Sequence, residues 1–150
     1  MRLAGHGLSI DLPDGWEGRI FRRRHGDPTL HAGTFALAFD DGEFGTRSTG
    51  RLPAGATFVT ITEYRPGNGL EPGRGLFAAK GIPLPIPRSR FHPSQLLVAR
   101  SGQRGFQHFF TESGRPFCLY AVIHEPHVGT ARADIRAVNE VLGTLAIERR

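Results

Sequence analysis

The residues closest to an enzymatic arrangement are His124-Glu125-Pro126-His127, with His108 on what reads as the neighbouring strand. A zinc protease sets two histidines four apart on a helical face, with a glutamate between them. Here the two lie three apart, and Pro126 breaks any helix at that point. His108, His124 and His127 become metal ligands only if strand register brings their rings together, so neither a metal nor any other cofactor is expected. Gly45-Thr46-Arg47-Ser48-Thr49-Gly50-Arg51-Leu52 has the two glycines of a phosphate loop. Arg51 stands where that loop needs lysine, and Leu52 where it needs the magnesium-binding hydroxyl. Cys118 lies within an apolar run with no basic neighbour in sequence, which suits an inert buried thiol rather than a nucleophile. Ser101 lacks the flanking glycines of a nucleophile elbow. No catalytic residue is expected.

Binding is the other chemistry on offer. Arg22-Arg23-Arg24-His25 is the densest positive run. It reads either as an anion patch or as a solvated end that discourages pairing between sheets. Arg65 to Pro93 holds six of the eleven prolines and five glycines. Loops of nearly thirty residues are usually functional or disordered. This one also carries Leu76, Phe77, Ile82, Leu84, Ile86 and Phe91, which argues against disorder. Pro83, Pro85 and Pro87 stiffen it, and Arg88 and Arg90 follow. Either it wraps the body and covers a sheet face, or it presents apolar tips and cations to a partner. The candidate contacts are Arg22, Arg23, Arg24, Phe77, Lys80, Ile86, Arg88, Arg90 and Phe91.

The elements that position these residues follow from periodicity. Leu8, Ile10 and Leu12 alternate as one strand face. Pro13-Asp14-Gly15 makes a tight turn, and Glu17 to Arg22 reads as the return strand of a hairpin, with Trp16 closing the core over the turn. Thr34 to Phe39 and Thr57 to Tyr64 read as further strands. Gly105 to Thr111 and Pro116 to Ile123, joined by Glu112-Ser113-Gly114-Arg115, form the strongest hairpin. The second of that pair is apolar on both faces and is expected at the centre of the sheet. Ile135, Val138, Val141, Leu142 and Leu145 recur at helical spacing. Thr130 is the expected cap, Asp134 the first-turn acid and Gly143 the stop. Leu145-Ala146-Ile147 reads as a short final strand. The expected fold is α+β: one antiparallel sheet of six or seven strands, with the C-terminal helix on one face.

Composition sets the outer bounds. At 150 residues the chain is expected to be one domain. One cysteine excludes an intramolecular disulfide. No signal-peptide run or membrane-spanning stretch is visible, so a cytoplasmic location and no membrane contact are expected. Net charge is +5, and the 19 basic side chains are 18 Arg and Lys80 alone. Guanidinium suits carboxylate and phosphate recognition. GC-rich coding, which also raises Ala, Gly and Pro, explains the same bias.

Leu8-Ser9-Ile10-Asp11-Leu12-Pro13-Asp14-Gly15-Trp16 resembles the opening of the PsbP/Mog-like domains. The helix running straight into a strand, Ala133 to Ile147, resembles their ending, and the chain as a whole looks like an actinobacterial protein. That resemblance implies an antiparallel sheet flanked by helices and a role in docking or assembly, with no shared catalytic centre. It supplies no site residue. The leading expectation is a non-catalytic domain that binds another protein or its own copy, with residues 70–90 removable without unfolding it. Binding of anionic ligands or nucleic acid through arginines is the alternative, and a metal-dependent enzyme the third.

Overall fold

The computed structural model describes residues 1–24, 26–127, 129 and 131–150. His25 and the Thr130 cap lie outside them. Eight strands appear among the described residues: β1 (Arg2–Gly5), β2 (Leu8–Asp11), β3 (Glu17–Arg22), β4 (Pro28–Gly33), β5 (Thr57–Glu63), β6 (Gln103–Glu112), β7 (Arg115–His124) and β8 (Ala146–Ile147). The helices are α1 (Thr46–Thr49) and α2 (Ile135–Gly143). The chain is thus of the α+β class.

Two tight turns set the hairpins. His6 and Gly7 (φ 53° and 78°) join β1 to β2, and Ser113 and Gly114 (φ 53° and 74°) join β6 to β7. Paired left-handed residues give the turn whose twist matches that of the flanking strands. Gly7 is needed a second time, because a Cβ there would stand 2.5 Å from Arg115 Nη1.

The strands form two antiparallel sheets rather than one. The larger runs β3-β4-β5-β7-β6, and the smaller β1-β2-β8. The Pro13-Asp14-Gly15 turn therefore carries the chain from one sheet to the other, and β2 and β3 are not a hairpin. Trp16 still packs against the core beyond that turn. β5, not β7, is the middle strand, although β7 is buried over all but its last residue.

Thr34 to Phe39 is not a strand. The chain leaves the sheet there, with Phe35 and Leu37 folded onto it and Phe39 left 77% exposed beneath the Arg19 guanidinium. The strand is instead the preceding segment, β4, buried along its whole length. One face of the large sheet carries Val59, Ile61, Leu119 and Ala121, which share a core with Leu8 and Ile10 of β2 and with Val138, Val141 and Leu142 of α2. Each Val, Ile or Leu among them contributes about 1.5–3 kcal/mol by leaving water. The other face packs Phe58, Tyr120 and Val122 against Leu52. Asp134 caps α2 by accepting the Ala137 N–H at 3.0 Å, one position before the first turn where the sequence pattern puts it.

Residues 65–93 form a strap along the outer edge of β6. Ala79 O accepts the Thr111 N–H, the Gly81 N–H reaches Thr111 O, and His92 exchanges both backbone bonds with Gly105. An edge strand left open is a template for aggregation, and the strap closes much of this one.

Candidate functional site

The strap determines what the surface can offer. Phe77 is fully buried between Tyr64 and Phe109, at ring separations of 5.5 and 5.8 Å. Ile86 and Phe91 lie in the main core, and Asn139 of α2 clamps the Ile86 backbone through both its amide atoms, at 2.6 and 2.9 Å. Arg88 turns inward, pairing with Glu125 and donating to Ala133 O at 2.7 Å. Of the sequence candidates in the strap, Lys80 and Arg90 face solvent, Arg90 lying over the Phe106 ring. The apolar side chains the strap does present are Leu76 and Leu84, at 52% and 39% exposure.

Arg22, Arg23 and Arg24 lie at the opposite edge of the sheet, at and just beyond the end of β3. Four strand spacings, about 19 Å, separate β3 from β6, so these arginines lie apart from the strap where it follows β6, although Arg22 shares a depression with Arg65 and Pro66 at the strap's start. Arg23 is also engaged internally, with bonds to Thr29 Oγ1 and Glu63 O and an ion pair to Glu43 at 3.8 Å. Arg22 and Arg24 remain exposed.

The histidines are dispersed. His108 stacks between Phe106 and Phe110, with Nε2 2.9 Å from Gly81 O. His124 Nδ1 lies 2.6 Å from Leu52 O, and His127 sits in the connection after β7. Among the described residues, no group of three or more His, Cys, Asp or Glu side chains is arranged to hold a metal ion.

Burial detunes the reactive groups. It pushes the Cys118 thiol up to about 12. It lowers His31 to about 4, outweighing the Glu43 carbonyl at 3.3 Å from its Nε2. Both are neutral at physiological pH. The phosphate-loop-like segment forms the single turn α1, whose first amides, Arg47 and Ser48, are taken by Asp41.

Two glutamates organise the remaining charge. Glu63 and Arg115 are almost wholly buried and meet in a bidentate pair at 2.8 and 3.0 Å. Arg150 adds a bond at 2.8 Å, while Arg115 also donates to His6 O and Glu148 O. Burial alone would raise Glu63; Arg115 and Arg150 outweigh it and hold its carboxyl below the ordinary range.

Glu125 lies at the end of β7. It accepts from Arg88, from Arg104 of β6 and from the Ala133 N–H, the last at 2.8 Å. Burial would raise it too, but the Ala133 amide and the two guanidiniums hold it below the ordinary range. Beside it is a depression of about 380 Å³ lined by Arg104, Glu125, His127, Gly129 and Arg132. The sequence marked Glu125 only as part of a histidine cluster. Its partners lie 37 and 21 residues away, and no local signal pointed to them.

No family model, curated protein or solved structure matches this chain. No helix among the described residues is long and apolar enough to cross a membrane.

Proposed function

We propose that this chain is a non-catalytic protein-binding domain that docks through the outer side of the residue 65–93 strap. The supporting observation is that the strap is fastened from beneath while Leu76 and Leu84 stay exposed on it. Phe77, Ile86 and Phe91 are core residues, and backbone bonds tie the strap to β6 at its middle, Ala79 to Gly81, and at its end, His92. A surface ordered in advance loses little further entropy on binding, which favours affinity. Lys80 and Arg90 lie on either side of Leu84 in sequence and both are exposed, so the partner is a protein with an acidic, partly apolar surface. A second copy of this chain is disfavoured, because a two-fold contact would set the same cations against each other. The PsbP/Mog-like resemblance at the two ends of the chain fits the same docking role.

The test is capture of a partner by the immobilised domain, with Leu76→Asp/Leu84→Asp compared against Arg136→Glu on α2. The reading expects one partner retained by wild type and by Arg136→Glu, and lost by the double variant. Equal retention by all three overturns it.

A further inference from the structure

The depression beside Glu125 has a charge imbalance that its internal bonds leave in place. Arg104 and Arg132 bring two positive charges to its walls and Glu125 one negative charge, while Arg88 stands outside the lining and is spent on Glu125 and Ala133 O. Glu125 is fully engaged, by two guanidiniums and an amide. Arg104 spends one nitrogen, Nη2, on it. A guanidinium has five N–H donors, so Arg104 keeps unused donors at the depression. Arg132 is exposed and makes no ion pair among the described residues. The Arg104 side chain is only 32% exposed, so water does less to offset its charge than it would on an open surface.

We propose that this depression is an oxyanion-binding site for a phosphate monoester, gripped by Arg104 and Arg132. Two guanidiniums side by side suit the several oxygens of a phosphate better than the two of a single carboxylate. Glu125 is a positioning residue: it fixes Arg104 against β7 and leaves the rest of that guanidinium turned to the ligand. Arg88 joins the strap to the same carboxylate, so the site sits where strap, β6 and the approach to α2 meet. This site shares no side chain with the proposed docking surface, and the two readings fail separately.

The experiment is amide NMR titration of the whole chain with inorganic phosphate, phenyl phosphate and acetate at constant ionic strength. Wild type is expected to show saturable shifts with both phosphates, centred on residues 104, 125 and 132, and at least tenfold weaker response to acetate. Arg132→Ala is expected to weaken phosphate binding by about tenfold while its remaining spectrum stays native. Arg136→Ala, on the exposed side of α2, should bind as wild type does. Shifts that do not saturate, that match those of acetate, or that persist unchanged in Arg132→Ala overturn the proposal.

Discussion

Replacing Glu63 by glutamine tests whether the buried charge cluster holds both ends of the chain to the sheet. Glu63 is 1% exposed and Arg115 4%. The substitution keeps an acceptor for one Arg115 bond but removes the negative charge. Arg115 would then be a buried cation facing neutral groups only: the new amide oxygen, the His6 and Glu148 carbonyls and the Phe117 ring. Removing one partner of a buried pair typically costs about 3–5 kcal/mol. The residual acceptor places this case near the lower limit, at about 3 kcal/mol. At about 2–4 °C per kcal/mol for this chain length, the melting temperature should fall by roughly 6–12 °C.

Urea titration across pH gives a second readout. The folded-state pKa of Glu63 is depressed, so its stabilisation is present above the unfolded value of about 4.3 and is lost as pH falls through the folded value. Glu63→Gln should therefore flatten the acid limb of the stability curve. It should not abolish that limb, because Glu125 is depressed as well. A destabilisation below about 1 kcal/mol at pH 7, or an acid limb as steep as that of wild type, would refute the reasoning.

Two further outcomes follow from burial. Phe77→Ala should cost about 3–5 kcal/mol, and removal of residues 70–90 should unfold the domain, both read by urea denaturation; a folded deletion variant would contradict the strap's place in the core. Cys118 should resist thiol reagents in the native state and react only at the rate of unfolding, because its thiol is buried and pushed up to about 12. Rapid native labelling would contradict that burial.

What the sequence made legible depended on whether burial and periodicity agreed. The β6–β7 hairpin, β5 and α2 each set apolar residues on the face they bury. β4 was missed because its inward side chains include Thr29 and His31, buried polar groups that look like loop chemistry. His31 packs edge-on between Phe21 and Phe58, so its ring serves as an aromatic filler. β1 was missed because it is only half covered. Thr34 to Phe39 has a true period of two, but the chain turns off the sheet before using it. In the strap, wrapping of the body by apolar side chains was readable. Which of them point inward was not, because that depends on the β6 edge and on Asn139, which lie far off in sequence.

The docking claim is tested most directly by a photo-reactive amino acid at position 84, with the same probe at position 136 as control. The account predicts a single cross-linked partner from position 84, displaced by excess unlabelled domain, and none from position 136. Equal cross-linking from both positions, or none from position 84 while the partner is still captured, would contradict it.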